Sequence, residues 1–237
     1  MSEKEIKANT EKKIPRGRPK GRSQQGEAMK AHLYKTALKL IKKEGYEAAT
    51  LRKIAKAADV SPGLIYKYYP NKEAIIIRLY DDLSTDLLEQ TPTLKAGKWD
   101  KRCIETLKMS ISVLEPHKET LKALIPILVG DTNNNVFSSR NNFSKQRVEN
   151  AFYVAISESK NSFKEEFSKD LASLVYTVHL AILLFWLLDK TDKNKATDKL
   201  IAYTEKLLKP FSIGLKLGAT KKIVSQMSSI INEGLSA

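Results

Sequence analysis

Between Ser61 and Lys72 the chain reads SPGLIYKYYPNK. Tyrosine hydroxyls and lysine ammonium groups are concentrated there behind a proline–glycine start. Such groups are natural hydrogen-bond and charge partners for phosphate oxygens. Thr50 and Arg52, a little upstream, add another hydroxyl and a guanidinium. A second basic group is PRGRPK, Pro15–Lys20, in which Arg16 and Arg18 flank a glycine. Residues that could do covalent chemistry are sparse. Cys103 and His117 have no partner at a catalytic or metal-ligand spacing, so an enzyme, a cofactor and a metal site are not expected.

Charge placement agrees with a polyanion partner. The chain has 237 residues and a formal net charge of +14. Residues 1–80 hold 19 Lys+Arg and 8 Asp+Glu, while residues 81–237 hold 22 and 19. A basic first third on a nearly balanced body favours nucleic acid over an anionic membrane surface. The single cysteine excludes a disulfide within the chain, and MSEKEIKANTEKK lacks the apolar stretch of a secretion signal. A cytoplasmic protein is expected.

Helices must position these groups. Residues 1–26 are polar and basic without a hydrophobic period, the pattern of a disordered arm. From about Glu27, Tyr34, Ala37, Leu38 and Ile41 recur at helical spacing, and the pattern ends at Lys42-Lys43-Glu44-Gly45. Thr50 can cap a second helix with Leu51, Ile54, Ala55 and Ala58 on its apolar side. Ser61 and Pro62 suit the cap and first position of a third. Asn71 can cap a fourth, striped with Ile75, Ile76, Leu79 and Leu83. The remainder reads as further helices, roughly 98–115, 117–129, 143–160, 164–189, 194–217 and 220–233, with residues 130–142 as the clearest loop.

Two short helices separated by a few residues form the layout of a helix-turn-helix, whose second helix enters the major groove. Pro62 and Gly63 keep that helix slim at its start. Ile65 and Tyr69 should turn inward, leaving Leu64, Tyr66, Lys67 and Tyr68 outward, with Lys72 reaching the same DNA backbone. By spacing alone, a structural helical hairpin with tyrosines in its core is equally open.

The run TLRKIAKAADVSPGLIYKYYPNKEAII, Thr50–Ile77, resembles the DNA-binding region of the TetR family of bacterial transcription regulators. The matching features are Val60-Ser61, Gly63, Ile65-Tyr66, Tyr68-Tyr69 and Lys72-Glu73-Ala74, within about residues 28–80. The resemblance implies DNA contacts from Thr50, Arg52, Pro62, Gly63, Leu64, Tyr66, Lys67, Tyr68 and Lys72. Pro62 and Leu64 stand where many members have hydrogen-bonding residues; Leu64 suits a thymine methyl. PRGRPK resembles an AT-hook core, in which Arg16 and Arg18 would enter a narrow A·T-rich minor groove. A basic tail in nonspecific phosphate contact is the other reading.

Residues 171–188, LASLVYTVHLAILLFWLL, carry no formal charge. That length is at the threshold of a membrane span. Ser173, Thr177 and His179 interrupt it, and a helix apolar all round also suits a buried central position. The resemblance implies that segments 164–189 and 194–217 pair with their copies in a homodimer, so no membrane partner is expected. His179 reads as a hydrogen-bonded core histidine or a ligand contact. Met109, Phe152 and Tyr176 join it as candidate ligand-binding residues. Trp99, Phe137, Tyr153, Phe163 and Trp186 are further aromatics that could line a pocket or fill a core.

The expected protein is all-α. An arm over 1–26 precedes a three-helix helix-turn-helix domain over 27–75 and a ligand-binding and dimerisation domain over 76–237. It would be a ligand-responsive repressor that binds a palindromic double-stranded DNA operator as a homodimer. A small apolar or amphipathic effector would release it. The alternative is an architectural A·T-rich DNA-binding protein without an inducer.

Overall fold

The computed structural model describes residues 21–130, 142–216 and 218–236, and the regular elements among them are all helical. Arg16, Arg18 and Phe137 lie outside these residues, as does nearly all of the loop expected over 130–142.

The first helices end where local chemistry stops them. α1 (Gly21–Glu44) carries Lys42 and Lys43 in its last turn. Gly45 follows at φ 83°, its N–H donating to the Ile41 carbonyl at 2.9 Å. That left-handed backbone is open to glycine at no steric cost. The start of α1 departs from expectation, because residues 21–26, assigned to the arm, are helical. Adding residues to a helix already nucleated needs no apolar period, so the sequence carried no signal for it. α2 (Leu51–Ala57) is capped by Thr50, whose Oγ1 accepts the Lys53 N–H at 3.2 Å. It closes at Asp59, with φ 54°; Val60 N–H reaches the Ala55 carbonyl and Asp59 N–H the Lys56 carbonyl. Aspartate tolerates this conformation better than most residues with a Cβ. α3 (Pro62–Tyr68) starts on its proline; Ser61 occupies the cap position, but its hydroxyl makes no capping bond. α4 (Lys72–Gln90) is capped by Asn71, whose Oδ1 accepts the Ala74 N–H at 2.9 Å.

α4 has 19 residues and so runs about 28 Å at 1.5 Å per residue. The boundary expected at 75/76 falls inside it. Its buried Ile75, Ile76, Leu79 and Leu83 share one apolar cluster with Leu33, Ile41, Ile54 and Ile65 of α1–α3. Leu121, Leu124, Trp186 and Leu187 of the body belong to the same cluster. The N-terminal helices are therefore packed into the body as well as tethered to it.

The body comprises α5 (Trp99–Leu114), α6 (Lys118–Gly130), α7 (Asn142–Ser157), α8 (Glu165–Leu188), α9 (Lys195–Gly214) and α10 (Gly218–Ser236). α8 touches each of the other five, which accounts for the buried part of its uncharged run. Leu171, Ala172, Tyr176, Ile182 and Trp186 face inward, whereas Val178, Leu184, Phe185 and Leu188 remain 41–54% exposed. Arg102, 4% exposed, staples α5 to the end of α7 by donating from Nε to the Ala155 carbonyl at 2.9 Å.

The turn between α8 and α9 places Lys193 and Asn194 at positive φ. Asp189 holds it closed. Its Oδ1 accepts from the Thr191 N–H and hydroxyl, and its Oδ2 from the Thr197 N–H and hydroxyl, all within 2.9 Å. Those bonds, the threonine hydroxyls first, hold the Asp189 carboxyl well below the usual carboxylate range. A depressed folded pKa gives stability that is complete above the unfolded value, about 3.9, and is lost as pH falls through the folded one. In melts from pH 7 down to pH 2, Asp189→Ala is expected to have a lower midpoint than the wild type at neutral pH. The gap should narrow towards pH 2.

Candidate nucleic-acid interface

The surface formed by α2 and α3 is built from exposed groups on a buried support. Ile65 is fully buried and Tyr69 is 2% exposed, so both turn inward as the spacing required. The Tyr69 hydroxyl donates to the Lys30 carbonyl of α1 at 3.2 Å and accepts from Arg78 Nη1 of α4 at 3.0 Å. Burial raises the Tyr69 phenol pKa against the lowering effect of Arg78, so the hydroxyl keeps its proton. Arg78 also lies 4.6 Å from the centroid of the Tyr34 ring and 3.6 Å from the Asp82 carboxylate. α3 is thus tied to both α1 and α4 by one side chain.

Thr50, Arg52, Pro62, Gly63, Tyr66 and Lys67 are exposed on this surface, and Tyr66 is 49% exposed. A Cβ built at Gly63 would meet nothing within 4 Å. Internal packing therefore does not require glycine there, and its small size matters only to whatever approaches from outside. Thr50 uses its oxygen as a cap acceptor and retains its hydroxyl proton for an outside partner.

Three of the residues expected at the DNA are partly taken up by the protein itself. Leu64 and Tyr68, one turn apart on α3, are half-buried. Tyr68 packs against the apolar cluster, and its hydroxyl would lie 3.7 Å from a Cβ at Gly26. Gly26, in the helical extension of α1, lies beside this flank. Lys72 is committed to the protein: Nζ donates to the Tyr46 carbonyl at 2.8 Å and the Glu47 carbonyl at 3.5 Å, and lies 4.0 Å from the centroid of the Tyr46 ring. The Tyr46 hydroxyl in turn donates to Glu73 at 3.1 Å. Lys72 therefore fixes the loop between α1 and α2 to the start of α4, and only one of its three N–H groups is left for phosphate.

Lys56 was missed. It is exposed and lines a shallow concavity with Arg52, Asp59, Val60, Ser61 and Pro62. Its i,i+4 spacing from Arg52 was the available signal. Lys53, by contrast, is paired with Glu44 at 3.0 Å. Arg52 and Lys56 are the cations of α2 positioned for an outside anion, while the Asp59 carboxylate weakens the local positive field.

The candidate ligand residues are partly brought together. Phe152, Tyr176 and His179 meet between α7 and α8, with Phe152 and His179 ring centroids 5.2 Å apart. Met109 is half-buried and belongs to none of the three apolar clusters among the described residues.

Arg52→Ala and Lys56→Ala are expected to weaken duplex DNA binding and to flatten the slope of log K against log[salt] by about 0.9 for each phosphate no longer neutralised. Their melting curves should stay near wild type. Lys72→Ala should lower the melting midpoint as well, because it strips donors from two carbonyls. Salt titrations and thermal melts of the three variants check this.

Residues 33–79 match the family model described as "Bacterial regulatory proteins, tetR family". The chain is 31% identical over 97 residues to the fatty acid metabolism regulator protein of Bacillus subtilis, a match covering 41% of this chain and 44% of that one. The chain spans less than half the length of that curated relative. Among solved structures, a putative TetR-family transcriptional regulator from Syntrophomonas wolfei is similar with a TM-score of 0.61 and 19% identity, over 78% of this chain and 96% of that one. The fatty acid degradation regulator FadR of Bacillus halodurans has a TM-score of 0.57 and 20% identity, over 76% and 94%. The structural likenesses concern the fold, and the match over α1–α4 concerns the reading head itself. Residues 33–79 thus form a helix-turn-helix domain of the TetR-family type, and the all-helical body behind it shares its fold with solved TetR-family regulators.

Proposed function

We propose that the protein is a cytoplasmic repressor that binds an inverted-repeat operator as a homodimer and is released by a small apolar or amphipathic effector. The observation that carries the DNA-binding part is the α2–α3 surface. Arg52, Lys56, Tyr66 and Lys67 stand exposed on it, over a support bonded to α1 and α4. The arm containing Arg16 and Arg18 would add minor-groove or phosphate contacts beside it.

The homodimer is supported by an apolar face that the chain leaves open. Val178, Leu184, Phe185 and Leu188 of α8 and Tyr203 and Leu207 of α9 are each 41–68% exposed. An exposed apolar face of this kind marks an interaction surface, and a two-fold dimer matches it with itself. A second copy also supplies the second recognition helix that an inverted repeat requires, about 34–36 Å from the first. The effector class is supported by the aromatic interior around Phe152 and Tyr176, and by relatives named for fatty acid metabolism and degradation. An effector favouring one spacing of the two heads by ~1–3 kcal/mol would change DNA affinity by about 5–150-fold.

Selection of bound genomic fragments followed by footprinting tests this reading. The expected footprint is a discrete inverted repeat, with Val178→Asp losing both the dimer in sedimentation and the protection of the full repeat. Protection spread along A·T-rich tracts without a repeat would favour the architectural alternative.

A further inference from the structure

The interior between α5, α7 and α8 contains one polar pair that it does not fully satisfy. His179 is 3% exposed, and its Nε2 lies 2.8 Å from the Ser110 hydroxyl of α5. Its Nδ1 is buried and has no partner among the described residues. The Phe152 ring meets the imidazole at a steep angle, and Tyr176 lies tilted with its centroid 6.2 Å away. Leaving a buried nitrogen without a partner is costly, so such groups are uncommon in folded proteins.

The pair also sits where the apolar interior divides. Along α8, Tyr176 belongs to one cluster, Ile182 to a second, and Trp186 and Leu187 to a third. His179 falls among them. Domains ordinarily keep one contiguous core, and helices separate at least cost along a polar seam.

Charge restricts what can enter. Burial holds the His179 pKa down to about 3, with no charged side chain contributing. The imidazole is therefore neutral at physiological pH. Glu149 of α7 accepts from the Ser173 hydroxyl at 3.3 Å, and burial raises its pKa against the lowering effect of Lys145. Beside His179, where no charged side chain contributes, an anionic head would lose its water without a counter-charge. The Ser110 hydroxyl can donate or accept, so either imidazole tautomer is open, and Nδ1 is an acceptor in one and a donor in the other. A hydroxyl satisfies both.

We infer that the effector is an uncharged amphiphile whose hydroxyl head hydrogen bonds to His179 Nδ1, with its apolar part against Phe152 and Tyr176. The inference rests on the effector-responsive body proposed above and names the chemistry of its ligand.

The test uses the full chain with octan-1-ol and octanoate as probes, by titration calorimetry at pH 7.5. Octan-1-ol is expected to bind at least about tenfold more tightly than octanoate. Two variants separate the nitrogens. His179→Gln keeps an amide that can reach Ser110 but has nothing at the Nδ1 position, and should weaken octan-1-ol about five- to tenfold. His179→Asn places its amide near Nδ1 and should retain most of the binding. Melting curves identify a variant that fails to fold, and the other variant then decides. Equal binding of octanoate, wild-type binding by His179→Gln, or no binding of octan-1-ol to the wild type would each overturn the inference. DNA binding measured without probe is independent of these outcomes and shows separately whether the regulator reading stands.

Discussion

The geometry of the reading head depends on one buried hydroxyl. Tyr69 closes α3, and its oxygen bridges the α1 backbone and the α4 guanidinium of Arg78. Ile65 supplies apolar anchorage one turn earlier, but packing alone leaves a seven-residue helix free to roll. Hydrogen bonds to two other helices remove that freedom. Lys72 does the same for the loop before α2, gripping the Tyr46 and Glu47 carbonyls. The exposed cations and hydroxyls can therefore be presented to DNA without ordering the backbone first, a cost that binding would otherwise have to offset.

The same connections link the head to the body. α4 is continuous from the Lys72 anchor to Gln90, and Arg147 of α7 holds Asp81 at 2.8 Å along the way. The apolar cluster beneath α1–α3 includes Trp186 and Leu187 at the end of α8. Trp186 is fixed in turn by its Nε1–H, which donates to Glu115 at 3.2 Å. A change in the spacing of α5, α7 and α8 thus has direct mechanical routes to the head through α4 and through the end of α8. His179 lies two turns before Trp186 on that helix.

Local chemistry was legible in the sequence; long-range partnership was not. Thr50, Asn71 and Gly45 announced helix ends because capping is a matter of a few neighbouring residues. Apolar spacing placed Ile65 and Tyr69 inward. Lys72 could be placed beside the DNA surface by the family pattern, but its grip on a loop 25 residues earlier had no local signature. Tyr68 looked free, but it packs against the apolar cluster with Gly26 of α1 beside its hydroxyl. His179 was visible as a polar interruption in an apolar helix. Its partner Ser110 lies 69 residues away, and its unpaired nitrogen is a property of packing.

The central claim is that buried hydrogen bonds set the position of the recognition helix. Tyr69 is 2% exposed and has no route to DNA. Tyr69→Phe retains the ring and removes only the bridging hydroxyl. The direct measurement is the duplex DNA affinity of this variant beside its far-ultraviolet helicity. The account predicts unchanged helicity with affinity lowered about two- to tenfold, the equivalent of one hydrogen bond's net contribution. Wild-type affinity in a folded Tyr69→Phe protein would contradict it.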